Sequence, residues 1–321
     1  MRRIGVLTSG GDAPGMNACI RSVVRFAIAN QAEVLGIREG FDGLLRGEIT
    51  PLTVRDVGGI LQRGGTVLQT ARSLEFIEEK GQLRGQRELN QAGIEGLVVI
   101  GGDGSMRGAK ALVARGVPVV GVPASIDNDL WGTNMSLGVD TALNTIMEAI
   151  DKLRDTASSH QRAFLIEVMG RNCGYLALMG GMIAGAELIL IPEHDTSLDE
   201  VAHAVADAYA RGKNHCIIVA AEGAPLRCQQ VADYLRAHEV GFEPRVTILG
   251  HIQRGGRPSA FDRILAIRLG VKAVECLLNG ESNVMVGLHG REIGTVSLDE
   301  VTDRNRQTDL EYYEIAEILA R

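Results

Sequence analysis

The chain has 321 residues, more than one hydrophobic core usually serves, so two domains are expected. Apolar residues make up 45% and charged residues 23%, which excludes a disordered, collagen-like or coiled-coil chain. A net charge of −7 excludes a general nucleic-acid binder but leaves room for a local basic pocket that takes a small anion.

The first short β-branched run, Ile4–Thr8, reads as a strand. It feeds Ser9-Gly10-Gly11-Asp12-Ala13-Pro14-Gly15-Met16-Asn17 and then an amphipathic stretch with Ile20, Val23, Val24 and Ala27. Glycines after a strand bare backbone N–H groups, and the following helix points its positive end at the turn, an arrangement suited to phosphate. An ordinary tight βα turn is the competing reading. A second strand is expected at Ala32–Ile37. Gln62-Arg63-Gly64-Gly65 follows, with Arg72 a few residues on.

The run Gly96–Ile100 reads as a strand buried on both faces, and Gly101-Gly102-Asp103-Gly104-Ser105 follows it, with Gly108 further on. The glycines loosely imitate a dinucleotide fingerprint. However, Asp103 would repel a bare pyrophosphate, and the next strand, Pro118–Val122, ends without a ribose-binding acid. A carboxylate inside a phosphate turn fits Mg²⁺, which takes carboxylate, water and phosphate oxygens, so a magnesium–nucleotide site is expected. No G-x-x-x-x-G-K-[ST] string occurs, which excludes a P-loop enzyme.

Pro123-Ala124-Ser125-Ile126-Asp127-Asn128-Asp129 comes next, with Asp127 and Asp129 expected on an extended segment. A calcium loop fails because Trp131 and Gly138 stand where ligands belong. A solvated acidic turn stays open as an alternative. Over Asp140–Asp155, Val139, Leu143, Ile146, Ile150 and Leu153 keep helical spacing and mark a core-facing stripe.

Further strands are expected at Phe164–Val168, Leu188–Ile191, Cys216–Ala220 and Arg245–Leu249. Arg162, Arg171, Arg245 and Arg254 flank strand ends or glycine turns, where arginine's fork matches phosphate. Gln-Arg-Gly-Gly recurs at Gln253. The alternation of strands and helices predicts an α/β protein of two doubly wound (Rossmann-like) domains with parallel or mixed sheets, and ligands beyond the carboxyl ends of the strands. Glycine numbers 40 and aromatics only 4%, so the glycines serve turns and close backbone approach.

Cys19, Cys173, Cys216, Cys228 and Cys276 are widely spaced and lack a C-x-x-C pair, so buried thiols in a reducing compartment fit better than disulfides or zinc. The uncharged stretch Asn172–Ala186 is shorter than the roughly 20 residues of a membrane span, and Ile4–Leu7 is too short for a signal peptide. A cytoplasmic location without membrane or nucleic-acid partners is expected.

GVLTSGGDAPGMN, GGDGS, PASIDND, EVMGR and GHIQRGG, in this order, resemble the bacterial 6-phosphofructokinase family. The likeness runs to about Arg268 and weakens over the last 50 residues or so. GGDG alone is shared with NAD and lipid kinases; the ordered set is specific. The resemblance implies transfer of the ATP γ-phosphoryl to the 1-hydroxyl of fructose 6-phosphate. It implies ATP on Gly11, Arg72, Ser73 and Gly102, Asp103, Gly104 and Ser105, with Asp103 on Mg²⁺. Asp127 would be the base, with Arg171 and Arg72 supplying positive charge around the moving group. Ser125, Ile126, Asp127, Asp129, Met169, Gly170, Arg171, Glu222, His251 and Arg254 would hold the sugar phosphate, and Arg162 and Arg245 would reach in from a neighbouring subunit, implying a homotetramer.

Residues 1–138 plus 253–305 would form the ATP-binding domain, and 139–252 plus 306–321 the sugar-phosphate domain. An effector site for a nucleotide or phosphoenolpyruvate would use Arg21, Arg25, Arg154, Gly185, Glu187, Arg211, Lys213 and His215. The family's remaining effector segment reads Val54-Arg55-Asp56-Val57-Gly58-Gly59 here, with Val54 at its arginine position and Arg55 at its aromatic position, so an anion site that survives with weakened or altered ADP activation is expected. Pyrophosphate-using relatives carry Asp at Gly104 and Lys at Ala124, so ATP is the expected donor, although Ala124-Ser125 replaces the usual Gly-Thr. The alternatives are a pyrophosphate-dependent enzyme, a GGDG kinase with another acceptor, and a silent nucleotide sensor, against which the pair Asp103 and Asp127 speaks.

Overall fold

The apolar run that opens the chain forms β1 (Arg3–Ser9) in the interior of a seven-stranded sheet. The structure, a computed structural model, describes residues 1–320. After β1 come α1 (Met16–Ala29), β2 (Glu33–Ile37), α2 (Gly40–Leu45), β3 (Ile49–Leu52), α3 (Glu79–Gln91), β4 (Gly96–Gly101), α4 (Asp103–Val113), β5 (Val119–Pro123) and α5 (Val139–His160). Then follow β6 (Arg162–Val168), α6 (Tyr175–Ile183), β7 (Leu188–Leu190), α7 (Leu198–Ala210), β8 (Cys216–Ala221) and α8 (Cys228–Ala237). The chain closes with β9 (Glu243–Ile248), α9 (Ala260–Leu278), β10 (Val284–His289), β11 (Glu292–Ser297), α10 (Leu298–Asp303) and α11 (Leu310–Ala320).

These elements fall into two units. Unit 1 holds Met1–Ile126, Leu130–Thr141 and Arg254–Asn305; unit 2 holds Asp127–Asp129, Ala142–Gln253 and the chain from Arg306 onward.

In unit 1 the sheet order is β11-β10-β5-β4-β1-β2-β3. The five central strands are parallel, and β3 and β11 run antiparallel at the two edges. Leu7, Leu97, Val99, Val119 and Met285 join a core with Phe41, Leu44, Leu89, Met106 and Leu298 from the helices. The two-residue alternation of a strand places Val6, Val98, Ile100 and Val120 on the opposite face, where α1 packs on α9. Both faces are covered, which is why these strands read as unbroken apolar runs.

The strand order reverses beside β1: β2 follows on one side, β4 and β5 on the other. Ser9 and Gly101, the last residues of β1 and β4, are register partners there. Such a switch point is where open α/β sheets take ligands. A Cβ on Gly101 would come 2.5 Å from the Ser9 carbonyl oxygen and 2.4 Å from Ser105 Oγ. Gly101→Ala is therefore expected to force β1 and β4 apart and cost about 1–3 kcal/mol, seen as a lower urea midpoint.

Unit 2 has a four-stranded, wholly parallel sheet in the order β7-β8-β6-β9. Its core joins Leu165 and Ile218 to Val201 and Val205 of α7 and Val231 and Leu235 of α8. A capping box between Ser197 and Glu200 starts α7.

The expected fold class is what the chain adopts. Three strands escaped the sequence reading. Pro51 lies in β3, which the sheet tolerates because β3 is an antiparallel edge strand. The hairpin β10–β11 turns through Gly290-Arg291, with Gly290 at φ +60°. The segment of Asp127 and Asp129 is not extended: Asn128 between them is left-handed at φ +52° and fully buried, so the chain turns there.

Candidate active site

Each unit places its expected residues at the carboxyl ends of its own strands. In unit 1 the turn after β1 runs through Gly10 at φ +84° to Gly15 at φ +105°, where α1 begins. The segment 63–73 is sewn to this turn. Asn17 Nδ2 donates to the carbonyls of Arg63 and Gly64, both at 3.1 Å, and its Oδ1 accepts from the Val67 N–H at 2.7 Å. Thr70 Oγ1 donates to the Gly10 carbonyl at 2.8 Å, and Ser73 Oγ accepts from the Phe76 N–H. Arg72, between Thr70 and Ser73, is exposed.

The second turn begins α4. Gly102 is its N-cap in extended conformation, and Asp103 lies in its first turn with Oδ2 3.0 Å from Arg107 Nε. Nothing lies within 4 Å of a Cβ built on Gly104. Ser105 is buried at 3% exposure, and its Oγ has no hydrogen-bond partner. An open approach, helix-start N–H groups and an unsatisfied buried hydroxyl together fit an incoming phosphate.

The glycines of the two Gln-Arg-Gly-Gly strings meet in this unit. A Cβ on Gly64 would come 2.2 Å from the Gly256 carbonyl oxygen. Arg254 lies over the first turn: its Nη1 is 3.4 Å from the Asp12 carbonyl oxygen and would come 1.9 Å from a Cβ on Gly11. Ser125 and Ile126 also belong to unit 1, while Asp127 and Asp129 are counted with unit 2.

In unit 2, Met169, Gly170 and Arg171 leave the end of β6, Glu222 the end of β8 and His251 the turn after β9. The Glu222 N–H donates to the Val168 carbonyl at 2.8 Å, and Gly223 N–H to that of Gly170 at 3.1 Å. Gly170 is at φ +122°. A Cβ on Gly223 would come 1.8 Å from the Arg171 carbonyl oxygen, so only glycine lets these two turns approach. Gln253 is named from the sequence only as the start of the second Gln-Arg-Gly-Gly string, with no role at the site assigned to it. It is fully buried, accepts from the Met169 N–H at 3.2 Å and donates to the Gly250 carbonyl at 2.9 Å, tying the His251 turn to the Arg171 turn. Arg162 and Arg245, on adjacent strands, share one carboxylate: Glu243 lies 3.8 Å from Arg162 Nε and 2.6 Å from Arg245 Nη2.

The phosphofructokinase family model matches residues 3–277. The chain belongs to the phosphofructokinase family. The ATP-dependent 6-phosphofructokinase of Thermotoga neapolitana is 51% identical over 321 residues, 100% of both chains. The ATP-dependent 6-phosphofructokinase 1 of Thermus thermophilus is 53% identical over 322 residues, again 100% of both. The crystal structure of Pichia pastoris phosphofructokinase in the T-state superposes with a TM-score of 0.90 at 38% identity, covering 99% of this chain and 38% of that longer one.

Of the residues expected at an effector site, Arg21 and Arg25 lie on α1 in unit 1. Unit 2 gathers the rest. Arg154 Nη1 donates to His215 Nε2 at 3.3 Å, and His215 Nδ1 is 2.9 Å from Ser158 Oγ, which donates to the Arg154 carbonyl at 3.0 Å. Arginine can only donate, so His215 Nε2 accepts and the ring is neutral. Burial, with Arg154 and Lys213 close by, pushes its pKa below the ordinary value against the pull of Glu187. Lys213 pairs with Glu187 at 3.0 Å, Arg211 with Asp207 at 3.1 Å, and Gly185 stands open at φ +63°.

Among the described residues no group of three or more His, Cys, Asp or Glu could cage a metal ion. Mg²⁺ needs no such cage, since it is usually carried on substrate phosphates with one or two carboxylates and water. Asp103 at the start of α4 fits that role. No described helix is long and apolar enough to cross a membrane.

Proposed function

We propose that the chain transfers the γ-phosphoryl group of ATP to the 1-hydroxyl of fructose 6-phosphate. Identity of about half over the whole length of bacterial enzymes named ATP-dependent 6-phosphofructokinase carries this reading. In it, unit 1 binds ATP through Gly11, Arg72, Ser73 and Gly102 to Ser105. Mg²⁺, held on Asp103, supplies charge neutralisation of the phosphates. Unit 2 binds the sugar phosphate through Met169, Gly170, Arg171, Glu222 and His251, with Ser125 and Ile126 leading into the base Asp127. Arg254, which lies over the Gly11 turn, would also hold the sugar phosphate. Arg162 and Arg245 complete the sugar site of a neighbouring subunit in a homotetramer, and the substrates make the cytoplasm the working compartment.

Ala124, where pyrophosphate users carry lysine, is 1% exposed, and its N–H donates to the Gly101 carbonyl at 2.9 Å. Its methyl is absorbed by packing, which supports ATP as donor. A coupled assay with Mg²⁺, fructose 6-phosphate and either ATP or pyrophosphate tests the reading. Turnover with ATP and none with pyrophosphate is expected; the reverse, or activity with neither, overturns it.

The effector segment predicts weak nucleotide control. Val54 is exposed, and the Thr53 hydroxyl and N–H donate to Asp56 Oδ2 at 2.6 and 2.7 Å. These bonds hold the Asp56 carboxyl below its usual pKa and keep the turn closed, with Val54 where the family's arginine would stand. MgADP is expected to shift half-saturation by fructose 6-phosphate less than the roughly 5-fold at the lower end of ordinary allosteric coupling. Initial rates with and without MgADP measure this.

A further inference from the structure

Gly138 lies where three stretches of unit 1 meet. It is left-handed at φ +97°, and a Cβ on it would come 2.9 Å from Ala13 Cβ, 3.0 Å from Pro14 Cδ and 3.2 Å from Ile126 Cγ2. Its Cα thus packs against both the turn after β1 and the residue that precedes Asp127. Beside it, the Leu137 N–H donates to the Pro123 carbonyl at 3.0 Å, and Leu137 bridges Ala124 in parallel register. The chain that leaves β5 to carry Ser125–Asp129 is therefore brought back to its own starting point at Leu137 and Gly138.

One side chain fastens that return. Asp262, in the first turn of α9, is fully buried. Its Oδ1 accepts from the Gly138 N–H at 2.9 Å, and its Oδ2 accepts from the Thr141 N–H at 2.9 Å and from the Thr141 hydroxyl. Ser259, the N-cap of α9, accepts from the Asp262 N–H at 3.2 Å and donates through Oγ to Asp140. A Cβ on Gly15 would come 3.6 Å from the Asp262 carbonyl oxygen and 3.7 Å from its Cβ, so the same residue also backs the end of the first glycine turn. Three donors spread over two oxygens leave this carboxylate a single orientation. The α5 start thus takes its cap from a neighbouring helix.

We propose that Asp262 is a positioning residue for phosphoryl transfer. It fixes Gly138, and Gly138 sets the turn at Ala13-Pro14 against Ile126 and hence the approach to Asp127. Fully buried, Asp262 would act without touching substrate. The inference rests on the phosphofructokinase reading of those turns, because it says which geometry matters. Alignment to within a fraction of an ångström is what phosphoryl transfer demands, and a 1 Å error costs on the order of 100-fold.

Asp262→Asn tests it. The amide retains one acceptor but turns an NH₂ group toward N–H or O–H donors, so Gly138 or Thr141 loses its partner. Assayed at 25 °C on the folded tetramer fraction, kcat is expected to fall about 10- to 100-fold with both KM values within about twofold of wild type. Amide exchange over residues 124–141 is expected to quicken as well. A lower melting temperature with wild-type kcat and wild-type exchange in that segment means a merely structural carboxylate and overturns the proposal. If Asp262→Asn does not fold, Thr141→Val, which strips one donor from the same oxygen, decides. A severalfold loss of kcat with faster exchange supports the proposal, and wild-type values in both overturn it. Wild-type protein inactive in the coupled assay would instead sink the functional reading, while the exchange measurement still reports whether Asp262 holds the turns.

Discussion

Asp127→Ser is expected to lower kcat by about 10²- to 10⁴-fold, the range a positioned general base contributes, while the KM for fructose 6-phosphate changes little. The sugar hydroxyl is a poor nucleophile until its proton has somewhere to go, and serine offers no charge to receive it. Aspartate is itself a weak base, with an ordinary pKa near 4, which suffices when the hydroxyl loses its proton late, as a loose transition state allows. In the proposed site, binding would be carried elsewhere, by the cations and N–H groups at the ends of β6, β8 and β9, so removing one carboxylate would leave most of it in place. The backbone of the turn is fixed by its neighbour, since Asn128 is buried and left-handed. The change is therefore confined to the side chain. Steady-state kinetics with ATP in excess measure the effect, and a variant with near-normal turnover removes Asp127 from the role of base.

The central strands were legible because burial on both faces leaves no choice of composition: Leu97-Val98-Val99-Ile100 has to be apolar throughout when both sides meet helices. Edge strands have no such constraint, which is why β3 with Pro51 and β11 with Glu292 left weaker traces. The glycine turns were legible for a similar reason, since their positions follow from strand ends and helix starts. What a linear reading does not reveal is which distant turns touch. The closeness of Gly64 to Gly256, the clasp of Gln253 on Met169, the sharing of Glu243 by two arginines and the reach of Asp262 to Gly138 each join residues tens to hundreds of positions apart. Of these, Asp262 left a faint signal in Ser259-x-x-Asp262 ahead of an apolar helix, which marks a helix start but says nothing of the second helix it caps.

Gly104→Asp is expected to leave the fold intact and cut the use of ATP about a thousandfold. Nothing lies within 4 Å of a Cβ at this position, and its φ lies outside the left-handed region, so an aspartate enters without a clash. It would stand in the first turn of α4, where a carboxylate gains roughly 0.3–1 kcal/mol from the helix dipole and replaces a residue that weakens helices. Thermal stability should therefore hold or rise. Activity should move the other way. If nucleotide phosphates approach the start of α4, a new negative charge about 4 Å from one of them costs about 4 kcal/mol at an effective dielectric of about 20, close to three powers of ten in kcat/KM for ATP. Turnover with pyrophosphate is not expected from this change alone, because Ala124 remains where pyrophosphate users carry lysine. Stability and catalysis moving in opposite directions cannot arise from misfolding. Wild-type ATP kinetics in a well-folded Gly104→Asp variant would instead mean that the triphosphate does not pass over these N–H groups, and the assignment of Asp103 to its metal would fall with it.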